Sequence, residues 1–264
     1  DLEFNADTPT SLLEASVIQW QWKEDVFPEC DQFNGIHEGL VQSWKDIFPK
    51  KGEIHFAGAL ENNEDTGTLQ YLASTAMEAG FSTRVLDMQA LDLQNGRFFD
   101  PAGELVNRCF KLYPWEWMVD ESPDGCLAEM EWLEPIWKLV MSNKAILATL
   151  YELFPDSPYV LPCYLSRPRS GLFCKKPVFS REGHNVSVVD IRDWEEYVRI
   201  AETEGDYNTG AYVYQEYVEP TAYSGRYPVI GSWIIGGEAA GIGIRENRME
   251  VTDNLSEFVP HIIG

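Results

Sequence analysis

The chain has 264 residues, 44% of them hydrophobic, enough to bury a sizeable core in one large or two closely packed lobes. Its 20 basic and 43 acidic residues leave a formal charge of −23, which repels phosphate backbones at long range and excludes nucleic acid as a general partner. No apolar run reaches the roughly 18–20 residues of a membrane-spanning helix, and the start of the chain lacks a secretory pattern, so a cytoplasmic protein with no membrane partner is expected.

Apolar and aromatic residues at helical spacing predict a helix from Ser11 to Phe27 and a second from His37 to Phe48. A strand is expected at Glu53–Leu60, a helix at Glu64–Gly80, and strands at Ser82–Leu91 and Gly96–Asp100. This alternation implies an open α/β layer. After the aromatic stretch Lys111–Met118, Leu127–Trp137 reads as a helix presenting Met130, Leu133 and Trp137 to a core. Asn143 is placed to cap a helix over Lys144–Phe154, which Pro155 ends. Pro158, Pro162, Pro168 and Gly171 interrupt the pattern next and mark the expected lobe boundary, with residues 1–165 before it and 166–264 after. Strands then follow at Phe173–Phe179, Val186–Asp190, Ala211–Val218, Pro228–Ile235 and Ala240–Ile244, with one helix at Asp193–Glu202 and a hairpin turn at Gly236-Gly237. The expected class is α+β, an α/β first lobe followed by a lobe rich in antiparallel sheet. The five cysteines, Cys30, Cys109, Cys126, Cys163 and Cys174, show neither a Cys-x-x-Cys pair nor a zinc spacing and read as buried free thiols.

Three segments carry chemistry. Phe173–Val186 places a strand, a polar turn and another strand in succession. Lys176 can lean toward a phosphate, Gly183 lets turn N–H groups approach it, and Arg181 can stabilise charge on transferred phosphoryl oxygens; an ordinary hairpin with solvated charges has the same pattern. In Glu3-Phe4-Asn5-Ala6-Asp7 an extended backbone puts Glu3 and Asn5 on one face, where their oxygens can hold Mg²⁺, or the segment is only a polar strand end before the Asp7-Thr8-Pro9 turn. Ala211–Val218 can lie beside adenine, with Gln215 or Glu216 taking the exocyclic amine, or serve simply as a buried strand. No Walker A loop, dinucleotide fingerprint, nucleophile elbow or metal-binding histidine spacing is present.

The order of these segments, with Trp115-Glu116, the helix start at Lys144 and the Lys176-Pro177-x-x-x-Arg181-x-Gly183 run, resembles glutathionylspermidine synthase over nearly the whole chain. It is most similar to stand-alone ligase-like members without the amidase domain. The resemblance implies an ATP-grasp fold holding Mg-ATP between sheets, and an ADP-forming ligase that converts a small-molecule or peptide carboxylate to an acyl phosphate for attack by an amine. It also assigns roles: Glu3 and Asn5 to Mg²⁺, Lys144 and Lys176 to the nucleotide, Gln215 and Glu216 to the strand flanking adenine, and Arg181 to the catalytic loop, with Gly183 kept as the turn glycine that approaches the nucleotide phosphates. Thr8, Thr10, Glu64 and Asp65 fall where the family meets its thiol-peptide substrate. The family's Arg-x-Asp element would precede Asp1, so an N-terminally incomplete chain is expected. At Trp117 the family has a small hydroxyl residue, so efficient use of glutathione with spermidine is not expected. A Mg-ATP-binding protein without turnover and a phosphotransferase are the competing functions, and oligomeric state is not legible.

Overall fold

A computed structural model describes residues 3–193, 197–207, 210–248 and 256–264. The chain forms two compact units. One comprises Ala6–Leu139, Ile230–Ile244 and Phe258–Gly264, the other Asp1–Asn5, Val140–Val229 and Arg245–Glu257. The change of unit in mid-chain thus falls between Leu139 and Val140, ahead of the breaker-rich connector expected to divide the chain at residue 165, and later strands return to the first unit.

In the larger unit a π-helical turn, Glu14–Ile18, runs directly into α1 (Gln19–Val26). Helix α2 (Ile36–Ile47), strand β1 (Glu53–Gly58), helix α3 (Asn63–Glu78) and strand β2 (Ser82–Asp87) follow. Asn62 caps α3, its side chain accepting from the Glu64 N–H at 2.9 Å. Three short strands, β3 (Asp92–Gln94), β4 (Arg97–Phe99) and β5 (Leu105–Val106), form a small antiparallel meander before β6 (Arg108–Leu112). Then come α4 (Trp115–Glu121), α5 (Pro123–Cys126) and β7 (Glu131–Leu133). The strands β2-β1-β6-β7 make an all-parallel sheet. Such a sheet is normally covered on both faces, and β1 follows that rule. Phe56 packs with Trp44, Leu69 and Phe110 on the side of α2 and α3, whereas its neighbour Ala57 packs with Cys109, Trp115 and Trp132 on the other. Trp44 satisfies its indole N–H on the Thr75 hydroxyl at 2.9 Å, so this core buries no orphaned donor there.

The helix expected over Leu127–Trp137 is instead built around strand β7. Trp132, not Trp137, is the buried residue; it meets Phe98 and Trp115 edge-on, while Glu131 turns out to pair with Arg108. Parallel pairing with β6 outweighs the helical spacing of Met130, Leu133 and Trp137, a case of tertiary context overriding local pattern.

Helix α6 (Lys138–Ser142) lies at the change of unit, and α7 (Ala145–Leu153) begins the smaller unit's main body. Asn143 caps α7 as expected, accepting from the Ala145 N–H at 2.8 Å. Strands β8 (Cys163–Tyr164), β9 (Gly171–Pro177), β10 (Ser187–Ile191), β11 (Tyr197–Glu202) and β12 (Tyr212–Glu216) form one antiparallel sheet in the order β11-β10-β9-β12-β8. The helix expected at Asp193–Glu202 is corrected here. Tyr197–Glu202 pairs with β10 as an edge strand, and residues 194–196 lie outside the described residues. The last strands, β13 (Tyr227–Ile235), β14 (Glu238–Asn247) and β15 (Glu257–Val259), form a three-stranded sheet. Gly236 and Gly237 join β13 to β14 with φ of 61° and 90°, the two positive angles that a tight hairpin turn demands of glycine. Among the described residues no helix is long and apolar enough to cross a membrane.

Candidate functional site

Strands β9 and β12 bring Lys176 and Gln215 together. Val213 stands opposite Lys176, and Gln215, two residues on, shares that face, so the two side chains meet diagonally across the ladder. The Lys176 ammonium donates to the Gln215 amide oxygen at 2.7 Å, with Lys176 8% and Gln215 1% exposed. Burial lowers the Lys176 pKa. Lys144 repels it and lowers it further, whereas Cys174, Glu3 and Cys163 act in the opposite direction. The thiols beside it are held protonated, Cys163 being pushed up to about 11 by burial. All five cysteines are free, as expected; Cys109 and Cys163 are buried and the other three half-buried.

Lys144 sits at the entrance to α7, where its backbone N–H donates to the Val178 carbonyl at 2.9 Å and its ammonium to the Ser180 carbonyl at 2.7 Å. The Glu3 carboxylate lies 3.2 Å from the same ammonium. Helix start, chain start and the loop after β9 are therefore tied at one point. Arg181 follows Ser180 directly and opens the turn containing Glu182 and Gly183, whose φ values are 57° and 71°. Gly183 tolerates that conformation without strain. Glu216 closes β12, exposed, with its backbone N–H on the Pro162 carbonyl at 2.7 Å. Of the sequence-derived nucleotide and metal residues, Glu3, Lys144, Lys176 and Gln215 converge, and the Arg181–Gly183 turn joins them through Ser180.

Glu3 and Asn5 offer the hard oxygen donors that Mg²⁺ takes. No group of three or more His, Cys, Asp or Glu able to hold an ion exists among the described residues. An ion at Glu3 and Asn5 would therefore depend on phosphate and water oxygens, the usual arrangement for Mg²⁺ beside a nucleotide.

In the larger unit, Thr8 is half-buried and Thr10 exposed, while Glu64 and Asp65 occupy the first turn of α3. There they also complement the helix dipole. Gly67 approaches Leu13 so closely that an added Cβ would lie 3.2 Å from its Cδ1, which sets the start of α3 beside the residues that follow Thr10. Trp117 is 40% exposed on α4, with its ring edge against Tyr113; Trp115 is the indole that enters the core.

The sequence reading missed the group that anchors this segment. Asp7 and Lys111 are each 0% exposed, and the ammonium donates to the Asp7 carboxylate at 2.5 Å and to the Tyr113 carbonyl at 2.8 Å. The second carboxylate oxygen accepts from the Trp115 N–H at 2.7 Å, and the ammonium lies 4.3 Å from the Trp115 ring centroid. Burial lowers the Lys111 pKa, and Asp7 opposes the shift. A lysine between Phe110 and Leu112 on β6 was the available signal, without any indication of its partner.

Comparison with known proteins bears on both units. The family model described as glutathionylspermidine synthase preATP-grasp matches residues 2–264. A "Putative acid–amine ligase" of Haemophilus influenzae is 38% identical over 273 residues, covering 98% of this chain and 70% of that protein. Trypanothione synthetase of Crithidia fasciculata is 28% identical, and the bifunctional glutathionylspermidine synthetase/amidase of Escherichia coli 26%. These two alignments cover 97% and 99% of the chain but only 43% and 46% of the relatives. Among solved structures, a "Putative gamma-glutamylcysteine synthetase" from Methylobacillus flagellatus KT superposes with a TM-score of 0.60 at 10% identity, covering 85% of this chain and 72% of that one. That likeness is one of fold: mixed α/β with parallel and antiparallel sheets.

Proposed function

Because the chain belongs to the glutathionylspermidine synthase preATP-grasp family, we propose that it is the ATP-dependent part of an acid–amine ligase with an ATP-grasp nucleotide site on the β9–β12 sheet. The observation that carries the reading is the pairing of Lys144 and Lys176. They come from distant segments, are both buried, and repel one another within a protein of net charge −23. The Glu3 carboxylate, 3.2 Å from Lys144, offsets part of that repulsion, and a polyphosphate is the further anion that the two converging cations would hold.

In this reading the ammonium groups of Lys144 and Lys176 hold phosphate oxygens, and the edge at Gln215 and Glu216 meets adenine. Arg181, on a turn tied through Ser180, faces the charge that develops during phosphoryl transfer. Glu3 and Asn5 would hold Mg²⁺, which when bound neutralises polyphosphate charge. The carboxylate oxygen of the acid attacks the γ-phosphorus and ADP leaves. The amine nitrogen then attacks the acyl carbon, phosphate leaves, and the nitrogen gives up a proton. Thr8, Thr10, Glu64 and Asp65 bind the acid or the amine, and the indole at Trp117 directs choice away from glutathione. The test is calorimetric titration of Mg-ATP into the full-length protein and its Lys176→Met variant. Loss of one buried charge-assisted contact should weaken binding by roughly tenfold or more. Equal affinities would remove the lysine pair from the nucleotide site.

A further inference from the structure

Lys175 and Lys176 are adjacent on β9 and therefore project to opposite faces of the sheet. Lys176 shares its face with Gln215, whereas Lys175 stands directly across from Tyr214 on the reverse face. There a cavity of about 110 Å³ is lined by Arg167, Lys175, Val189, Ile191, Tyr197 and Tyr214. Val189 and Ile191 are buried and form an apolar floor.

Its two cations are held in place by aromatic rings. The Arg167 guanidinium lies 4.9 Å from the Tyr197 ring centroid, and one terminal nitrogen donates to the Asp193 carbonyl at 3.1 Å. Its Nε is buried without a hydrogen-bond partner among the described residues. The Lys175 ammonium lies 3.9 Å from the Tyr212 ring centroid. Neither cation forms an ion pair with a carboxylate among the described residues, although acidic residues outnumber basic ones 43 to 20. A buried donor left unmade is expensive, and two cations kept clear of so many carboxylates leave room for an acceptor from outside. Arg167 also works against the burial that raises the Tyr214 pKa, so its charge is felt across the cavity.

We propose that this cavity on the reverse face of the β9–β12 sheet is an anion-binding site that takes a single phosphate or carboxylate group between Arg167 and Lys175. Size sets the limit: pockets for drug-sized ligands run to roughly 300–1,000 Å³, so a space of about 110 Å³ holds one anionic group and not a nucleotide. The Arg167 Nε and the Lys175 ammonium supply charge-assisted donors, and the tyrosine rings exclude water from their flanks. The site stands apart from the nucleotide reading, since the Lys176 face takes no part in it.

The experiment titrates inorganic phosphate, and separately acetate, into the full-length protein at constant ionic strength, in a Lys176→Met background that weakens anion binding on the opposite face. Saturable binding is expected, weakened roughly tenfold by Arg167→Gln and by Lys175→Gln, with Arg167→Lys intermediate because it keeps a cation but loses Nε. Melting temperatures without anion establish that each variant is folded. Phosphate binding alone assigns the site to phosphate groups, and binding of both anions assigns it to oxyanions in general. No saturable binding, or equal affinity in folded Arg167→Gln and Lys175→Gln, would overturn the proposal.

Discussion

Removing the cation beneath Trp115 should damage the larger unit more than any surface change. In Lys111→Met the Asp7 carboxylate keeps the Trp115 N–H but loses its ion pair, at a site where both partners are 0% exposed. Breaking a buried pair on one side costs about 3–5 kcal/mol, because the remaining charge stays desolvated or must take up a proton. At about 2–4 °C per kcal/mol for a domain of roughly 150–250 residues, the melting temperature should fall by roughly 6–20 °C. The double variant Asp7→Asn/Lys111→Met removes both charges and should recover part of that loss, since no desolvated charge is then left without its partner. Urea unfolding of the wild type, both single variants and the double variant gives the coupling energy. A loss below about 1 kcal/mol in Lys111→Met, or strict additivity in the double variant, would refute the argument that desolvated charge dominates here.

Other outcomes follow from single side chains. His55 is 2% exposed, its Nε2 3.7 Å from Glu53 and 3.9 Å from Asp100, and burial holds its pKa below 6.5 against those carboxylates, with Arg84 reinforcing the lowering. The unfolded chain therefore binds this proton first; His55 favours folding above pH 6.5, and that contribution is lost as pH falls through the lower folded pKa. His55→Gln should flatten the acid limb of a stability profile, by at most about 1.4 kcal/mol per pH unit; an unchanged slope would dismiss His55 as its source. Arg181→Ala should lower kcat by roughly 100-fold or more while leaving Mg-ATP affinity within about threefold, and full turnover in that variant would remove the residue from catalysis. Wild-type turnover with glutathione and spermidine should be poor and should rise in Trp117→Thr, and brisk wild-type formation of glutathionylspermidine would reject the specificity assigned to the indole.

Sequence periodicity carried most of the fold because most segments obey a single physical demand. The Ser11–Phe27, His37–Phe48 and Lys144–Phe154 helices each occur within a few residues of their expected bounds, and Asn143 caps the last through its own side chain. Where local and tertiary demands disagree, the pattern misleads. Glu131–Leu133 satisfies helical spacing but pairs with Arg108–Leu112, and Tyr197–Glu202 satisfies it but pairs back on the preceding strand, Ser187–Ile191. The breakers at Pro158, Pro162, Pro168 and Gly171 all lie within the smaller unit, where they turn the backbone between α7 and β9. In the smaller unit Lys176 and Gln215 were legible from their strands, whereas in the larger unit the Asp7–Lys111 pair was not, because no local pattern links residues 104 apart. The carboxylate at Asp7 had every appearance of a turn residue before Pro9.

Cleavage of ATP to activate a carboxylate for an amine transfers one carboxylate oxygen to phosphate, and labelled oxygen reports that transfer. Full-length protein would be incubated with Mg-ATP, paired amino-acid or glutathione-like peptide acids carrying ¹⁸O in the carboxylate, and polyamines as amines. ADP should form only when both acid and amine are present, and one labelled oxygen should appear in the released phosphate for each amide made. ADP formation without amide, or amide formation in which the displaced ¹⁸O appears in AMP or in water and not in phosphate, would contradict this chemistry.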